Sequence, residues 1–314
     1  MVDKPIEDHV ISLSDDDTSD KYDKDASVYV LAKTLSITDG NASYVHPIST
    51  DARYDELRMP LCDKDLNIVR QIMGRASKTS CASFGKTEGL TVSGAAIYTL
   101  NPRTWLNDDV IDIYFRKLQS RDEQIGSNSL HHMKNIFLPS RFITALFSND
   151  NNQFDIQNCC YANVVTFKAL RGHDIFDCHR IFVSVNISSN HWTLIVINML
   201  EKTVKYYDNY HDEDEDLVYS HCEEPLLRGI EYFLNEEWKY RNRCPWRDGL
   251  SWNYIQCSTV TTPKQENGFD CGVFICVEAD LLSQGHTIEQ LCQDDLKHTR
   301  EKMVASLLTN SLVQ

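Results

Sequence analysis

The spacing of apolar residues predicts several helices along the chain. Across Asp63–Met73 the apolar positions recur with the period of an amphipathic helix. Asn107–Leu118 shows the same period, and either Asn107 or Asp108 is suited to cap the N-terminus of that helix. Further helices are predicted at Pro225–Glu237, Cys271–Leu282 and Leu296–Leu308. The second of these three is apolar on nearly every side, which predicts a buried helix.

Runs rich in β-branched residues predict a set of short strands. The segment from Asn190 reads N-H-W-T-L-I-V-I, and after a short polar break Thr203–Asp208 continues as T-V-K-Y-Y-D. Two such runs so close together are typical of an antiparallel hairpin. The polar segment Arg75–Thr87 is predicted to be a loop. Further strands are predicted at Leu90–Ile97, Val164–Phe167, Ile181–Val185 and Gln256–Thr262.

This mixture of elements predicts an α+β fold in which helices flank a central mixed sheet. A single folded domain is expected to run from about residue 60 to residue 314. Residues 1–55 are expected to form an acidic tail, since residues 1–25 hold nine acidic and three basic side chains, a net charge of −6. Such a segment buries too little apolar surface to fold alone, so we predict that about the first 50 residues are disordered.

Composition restricts the classes of function. The 314 residues carry a net charge of −15, whereas a protein that binds nucleic acid needs a basic face, so nucleic acid is not an expected partner. The sequence has no apolar run of about 18 residues and no secretory signal, so no membrane association is expected. Its eleven cysteines form no C-x-x-C pairs of the kind that bind zinc, and their odd number favours reduced thiols.

One cysteine lies where a nucleophile is expected. Gln265–Cys271 reads Q-E-N-G-F-D-C and is followed by Gly272, so Cys271 begins the predicted buried helix. Unpaired N–H groups and the positive end of the helix dipole favour a thiolate at that position. A nucleophilic cysteine also needs a base and a group that orients the base.

His191 and Asp208 are candidates for these two roles. His191 begins the first strand of the predicted hairpin and Asp208 ends the second, so the two residues are expected to be neighbours. Asp208 would fix the tautomer of the imidazole, and His191 would activate Cys271. Gln265 offers a side-chain amide, and Cys271 a backbone N–H, to the oxyanion that forms during acyl transfer.

The order His, Asp, Gln, Cys resembles that of the ubiquitin-like protein proteases, also called SUMO- or sentrin-specific cysteine proteases. Sixteen residues separate His191 from Asp208 and five separate Gln265 from Cys271, which fits that family. The matching blocks lie at Trp105 to Asp108 with Val110 and Ile111, at Asn190 to Leu194, at Tyr207 and Asp208, and at Gln265 to Gly272. Together they span roughly Leu90 to Leu282.

The resemblance implies a papain-like architecture and further roles for three residues. Trp105 and Trp192 match two tryptophans that enclose a narrow tunnel for a Gly-Gly tail, since any larger side chain would collide with the indoles. Asp108 matches an acidic residue that pairs with a basic residue of the modifier. Without the resemblance, both tryptophans would be interpreted as core residues.

A short apolar run lies within the acidic tail. Val10, Ile11, Ser12 and Leu13 are followed by Ser14 and three aspartates. The pattern resembles a SUMO-interacting motif, in which a peptide adds a strand to a sheet edge while its acidic residues meet basic ones. Val10, Ile11 and Leu13 are therefore candidate binding residues. The alternative is a chance apolar cluster in a solvated tail.

The resemblance therefore implies a cysteine isopeptidase that removes SUMO-like modifiers from lysines, with precursor cleavage after Gly-Gly as a second expected use. We expect an intracellular monomer, nuclear or cytoplasmic, that acts on the modifier and its conjugates. No cofactor or metal is expected because side chains and water suffice for the reaction.

Three alternatives to this interpretation remain. The chain could be a protease for ubiquitin or the neddylation modifier, an acetyltransferase with the same triad, or an inactive binding module. Trp105 and Trp192 argue against the acetyltransferase. The intact His191, Asp208, Gln265 and Cys271 argue against the inactive module.

Overall fold

The structure is a computed structural model. It describes residues 34–35, 49–81, 83–128, 132, 134–148, 154–171, 174–210, 223–242, 252–257, 262–309 and 312–313. Within these residues a five-stranded mixed sheet is flanked by helices, which confirms the predicted α+β class. None of the described helices is both long enough and apolar enough to cross a bilayer.

Seven strands form two sheets in the described residues. The smaller sheet is an antiparallel pair, and the larger has the order β3-β4-β5-β6-β7. Its three central strands are antiparallel to one another, while β3 pairs with β4 and β7 with β6 in parallel. The strands are β1 Ser83–Thr87, β2 Leu90–Ser93, β3 Asn135–Leu138, β4 Arg180–Ile187, β5 His191–Asn198, β6 Thr203–Tyr207 and β7 Asn253–Gln256.

Nine α-helices surround these sheets in the described residues. They are α1 Thr50–Arg58, α2 Asp63–Arg75, α3 Gly94–Thr99, α4 Asp108–Asn128, α5 Arg141–Leu146, α6 Lys168–Arg171, α7 Glu223–Asn242, α8 Cys271–Ser283 and α9 Thr299–Leu308. Asn107 caps α4, since its side-chain oxygen accepts a hydrogen bond from the Val110 N–H at 3.2 Å. The predicted helices α2, α4, α7 and α8 are therefore confirmed, with longer C-terminal ends than expected.

The larger sheet separates two apolar cores. Successive side chains of a strand point to opposite faces, and both β4 and β5 are apolar on both faces. Phe182 and Leu194 face the core that contains α4, α8 and α9. Val183 and Ile195 face the core that contains α7. The predicted β5–β6 hairpin is confirmed, with Leu194 opposite Tyr207 in an antiparallel register.

Three predicted strands differ from the structure. Leu90–Ile97 stays extended only to Ser93, whose hydroxyl accepts a hydrogen bond from the Ala96 N–H at 3.0 Å and so caps α3. Val164–Phe167 forms no strand and lies between a 3₁₀ turn and α6, because its apolar residues fill a core without pairing. The strand predicted at Gln256–Thr262 lies earlier, at β7, and residues 258–261 are outside the described residues. The loop predicted at Arg75–Thr87 includes β1, which pairs with β2.

Helix α1 crosses the boundary expected between tail and domain. Its Arg53 has no exposed side-chain surface and bonds Asp280 of α8 at 2.6 Å. The folded part of the chain therefore includes residues from Thr50 onward. Of the tail itself only residues 34–35 and 49–55 are described, and the candidate motif at Val10, Ile11 and Leu13 lies outside the described residues.

Candidate active site

A cleft lies where α8 begins beside the edge of the β5–β6 hairpin. Residues from four separate segments form its wall, namely Trp105, Asn190, His191, Tyr210, Gln265, Gly268 and Cys271. Three of the four residues predicted for catalysis line this cleft, and the fourth, Asp208, contacts it through His191.

Cys271 is the first residue of α8 and is only 2% exposed. At this position the first N–H groups of a 13-residue helix have no intrahelical partner, so they and the helix dipole favour a negative sulfur. The following residue, Gly272, permits close packing behind the thiol. A Cβ there would lie 3.0 Å from the Leu106 Cβ and 3.1 Å from the Trp192 Cδ1.

His191 joins the carboxylate of Asp208 to the thiol of Cys271. Its Nε2 lies 2.7 Å from the Asp208 Oδ1, and the Cys271 side chain is the other polar group that acts on the ring and raises its pKa. Since Asp208 occupies Nε2, Nδ1 is the ring nitrogen left for the sulfur. The Tyr210 N–H donates to the same Asp208 oxygen at 2.9 Å, which fixes the orientation of the carboxylate.

The surroundings of His191 favour a protonated ring. Burial lowers its pKa, but the interactions with Asp208 and Cys271 outweigh burial and raise the pKa to about 9. A cationic imidazole beside a thiol stabilises the thiolate, which is the nucleophilic form of cysteine. The arrangement therefore places a cationic ring beside the sulfur of Cys271.

Gln265 is held by its backbone and by its side chain. Its N–H donates to the Asn209 carbonyl at 2.8 Å, and its side-chain Nε2 donates to the Asn267 carbonyl. A carboxamide nitrogen carries two N–H groups, so the second remains for an oxyanion in the cleft. The Cys271 backbone N–H, at the start of α8, is the other donor at this place.

A family model decides the relationship of the chain to known proteins. The Ulp1 protease family, C-terminal catalytic domain, matches residues 104–311. The chain belongs to the Ulp1 protease family. The resemblance inferred from the four sequence blocks is thereby confirmed, and all four catalytic candidates lie within the matched range.

Curated relatives and solved structures agree with the family assignment. The ubiquitin-like-specific protease ESD4 of Arabidopsis thaliana is 26% identical over 76% of this chain. Sentrin-specific protease 2 of Rattus norvegicus is 27% identical over 71% of this chain. The matches span only 45% and 33% of the length of these two relatives.

The fold also matches that of a solved Ulp1 domain. The X-ray structure of the C-terminal Ulp1 protease domain in complex with Smt3, the yeast orthologue of SUMO, gives a TM-score of 0.61 at 20% identity. The similarity covers 82% of this chain and 99% of that domain. It confirms the fold expected from the sequence.

The two tryptophans that were predicted to enclose a tunnel differ from each other in exposure. Trp105 is 51% exposed on the cleft wall, and its indole N–H donates to the Gly268 carbonyl at 2.6 Å. Trp192 is 2% exposed and is not among the wall residues, because it faces the core that contains α4, α8 and α9 and donates to the Leu106 carbonyl at 2.8 Å. Asp108 is exposed in the first turn of α4, close in sequence to Trp105.

Two residues of the site escaped the sequence analysis. The Tyr210 ring stands edge-on to His191, with 6.0 Å between ring centroids, and its position two residues after Asp208 was an available signal. Arg300 bonds Asp270, the residue before Cys271, at 2.6 Å. No sequence pattern indicated this contact, because 29 residues separate the two partners.

Proposed function

We propose that this chain is a cysteine peptidase that cleaves after the C-terminal Gly-Gly of a SUMO-like modifier, with deconjugation from lysine as its main reaction. The observation that carries the proposal is the hydrogen bond from His191 to Asp208 together with Cys271 beside the same ring in the cleft of a Ulp1-family domain. Precursor cleavage would use the same catalytic residues on the peptide bond that follows Gly-Gly, and it is the second proposed reaction.

The reaction is an acyl transfer in two steps. The Cys271 thiolate attacks the carbonyl carbon of the terminal glycine, and the oxyanion accepts hydrogen bonds from the Gln265 amide and the Cys271 N–H. As the tetrahedral intermediate collapses, His191 donates its proton to the departing lysine amine. Water, deprotonated by His191, then attacks the thioester and releases the modifier and the thiolate. Asp208 keeps the imidazole in the orientation that both transfers need.

The proposed substrate rests on the named relatives and on two side chains. Both relatives are named as proteases for ubiquitin-like or sentrin modifiers. Trp105 offers a half-exposed aromatic face over the cleft, which suits an extended glycine-rich tail. Asp108 offers an exposed carboxylate nearby for a basic residue of the modifier. Trp192, buried behind Gly272, is proposed to support the floor of the tail-binding site.

The alternatives are less well supported. A protease for ubiquitin or the neddylation modifier would use the same catalytic residues, so only the choice of modifier would change. An acetyltransferase is not favoured by membership of a protease family. A nuclear or cytoplasmic location, where the conjugates occur, is part of the proposal.

Covalent labelling by modifier probes tests the proposal. SUMO, ubiquitin and the neddylation modifier are each given a cysteine-reactive group at the terminal glycine and incubated with the chain. A SUMO adduct that forms with the unmodified chain and with Cys276→Ala, but not with Cys271→Ala, is the expected result. Cys276 is the matched control because it is a buried cysteine of the same helix.

Other labelling patterns contradict the proposal in different ways. Labelling by ubiquitin or the neddylation modifier alone would change the substrate and keep the nucleophile. Labelling that persists in Cys271→Ala would remove Cys271 from its role. Labelling by none of the three probes would reject the proposed substrate class.

A further inference from the structure

Asn209 connects three segments of the active site. It directly follows Asp208 and is fully buried. Its backbone carbonyl accepts the hydrogen bond of the Gln265 N–H at 2.8 Å. Its side-chain Nδ2 donates to the Pro263 carbonyl at 3.0 Å and to Glu278 Oε1 on α8 at 2.6 Å. One amide thus links the end of the hairpin, the segment before Gln265 and the nucleophile helix.

Glu278 is the partner of this amide on α8. It is fully buried and lies seven residues after Cys271, about two helical turns further along the same side of the helix. A buried carboxylate ordinarily requires a cation or several N–H donors. Among the described residues, Glu278 accepts a hydrogen bond from one donor, the Asn209 amide, and forms no ion pair.

Two oxygen atoms of this pair have no hydrogen-bond partner in the described part of the chain. They are the Glu278 Oε2 and the Asn209 Oδ1. Both atoms accept hydrogen bonds when the carboxyl group is ionised, so neither can satisfy the other in that state. A proton on Oε2 would let it donate to Oδ1, and both atoms would then be paired.

We propose that Glu278 is a neutral carboxylic acid that forms a closed, doubly hydrogen-bonded pair with Asn209, and that this pair positions Asp208 and Gln265 against the helix that carries Cys271. This inference rests on the proposed function, in which Asp208, Gln265 and Cys271 are catalytic. Neither Asn209 nor Glu278 touches the substrate; both act by holding neighbouring segments.

The electrostatic surroundings of Glu278 agree with a neutral acid. Burial raises its pKa to about 8, although the Asn209 bond lowers it and the charge of Asp208 raises it further. Among the described residues, two other titratable groups interact with Glu278, namely Tyr207 on β6 and Tyr54 on α1. Burial raises the pKa of both phenols, that of Tyr54 to about 12, so both are neutral in the same pH range.

Two substitutions of Glu278 separate hydrogen bonding from volume. Glu278→Gln keeps the length of the side chain and can form both hydrogen bonds with Asn209 as an amide, without a titratable proton. Glu278→Met has a similar length and forms neither bond. With the SUMO C-terminal fluorogenic substrate at pH 7, we expect kcat of Glu278→Gln within about twofold of the unmodified chain. We expect kcat of Glu278→Met to fall at least about tenfold with little change in KM, because a buried amide is left unpaired.

Glu237 provides the control for the activity experiment. Glu237→Gln removes another fully buried carboxylate, held by Arg241 on α7, and is expected to leave kcat unchanged. Equal kcat values for the Gln and Met variants of Glu278 would reject a positioning role for the pair.

The stability of the protein gives a readout that does not depend on activity. A carboxyl group whose pKa is about 8 when folded and about 4.5 when unfolded contributes stability that is fully present below pH 4.5 and is lost as pH rises through 8. Glu278→Gln cannot ionise, so its Tm should rise relative to that of the unmodified chain between pH 5 and pH 8. A constant Tm difference over this range would show that Glu278 is ionised in the folded chain.

The two readouts also separate this inference from the proposed function. If the chain cleaved no modifier, the Tm experiment would still show whether the neutral pair exists. If the Tm difference were constant while Cys271 was labelled by the SUMO probe, the proposed function would stand and the pair would be rejected.

Discussion

The guanidinium of Arg300 holds the carboxylate of Asp270, the residue immediately before Cys271. Its Nη2 and Nε lie 2.6 and 3.0 Å from the Asp270 Oδ1. The same guanidinium donates to the backbone carbonyls of Thr99, Asn101, Thr104 and Phe269. One side chain of α9 therefore fixes the start of α8 relative to the segment that leads into Trp105.

Substitution of Arg300 should loosen the start of α8 and the segment that leads into Trp105. Arg300→Lys keeps the charge but loses the planar arrangement of donors, so most of the carbonyl contacts cannot be made. We expect a loss of about 2 kcal/mol or more in the free energy of unfolding, measured by urea denaturation. We also expect kcat/KM to fall at least about tenfold.

An exposed arginine provides the control for this experiment. Arg228→Lys alters an ion pair with Glu224 at 2.6 Å in which both side chains are more than half exposed. Exposed pairs contribute little, so stability and kcat/KM should stay unchanged. A similar small effect from both variants would contradict the role given to Arg300.

Asp208→Asn tests the orientation of the catalytic imidazole. A carboxylate accepts the N–H of His191 Nε2, whereas an amide can donate to that nitrogen and place the ring proton on Nδ1, towards the sulfur. We expect kcat to fall by roughly a thousandfold or more, measured with the SUMO fluorogenic substrate. Asp177→Asn, at an exposed acid, is the control, and a near-normal rate for Asp208→Asn would remove Asp208 from the triad.

The raised pKa of His191 predicts a dependence of stability on pH. Its value of about 9 in the folded chain exceeds the ordinary 6.5, so the contribution of the imidazolium is fully present below pH 6.5 and is lost as pH rises through 9. The Tm of the unmodified chain should therefore fall relative to that of His191→Gln between pH 6.5 and pH 9. In a Cys271→Ala background the fall should be smaller, because one of the two side chains that raise this pKa is absent. If the difference in Tm between the unmodified chain and His191→Gln did not vary with pH, the raised pKa of His191 would be refuted.

The sequence revealed those parts of the site that depend on local pattern. The β5–β6 hairpin follows from two β-branched runs with a short break, and it brings His191 and Asp208 together. The contact between Arg300 and Thr104 joins residues 196 positions apart, and no periodicity encodes it. Glu278 did leave a local signal, since it is an acidic residue in a helix that is otherwise almost wholly apolar. The strand pattern indicated that Trp192 is a core residue, but its place behind Gly272, 80 positions further along the chain, is not encoded in that pattern.

The pair of Arg53 and Asp280 predicts that α1 is required for stability. Both side chains are almost completely buried, and Arg121 bonds the same carboxylate. Arg53→Met should lower the free energy of unfolding by about 3 kcal/mol, because it leaves a buried charge only partly compensated. Lys239→Met, at a solvent-exposed lysine paired with Glu236 on α7, should leave it unchanged.

A truncated chain extends the same test to the domain boundary. A chain that begins at residue 60 lacks all of α1 and should be destabilised at least as much as Arg53→Met. If that chain were as stable as the unmodified one, the folded domain would begin at about residue 60, as expected from the sequence.

The candidate SUMO-interacting motif predicts binding without an effect on cleavage. Ile11 and Leu13 are the side chains expected to enter a groove beside a sheet edge of SUMO, while the following aspartates meet basic residues. Changing both residues to Ala should weaken binding of poly-SUMO to a Cys271→Ala chain by about fivefold or more, measured by calorimetry. In the active chain the same double substitution should leave kcat/KM for a single SUMO substrate unchanged. Ile6→Ala, an apolar truncation in the same tail outside the motif, is the matched control. Equal poly-SUMO affinity of all three chains would identify the run as a chance apolar cluster.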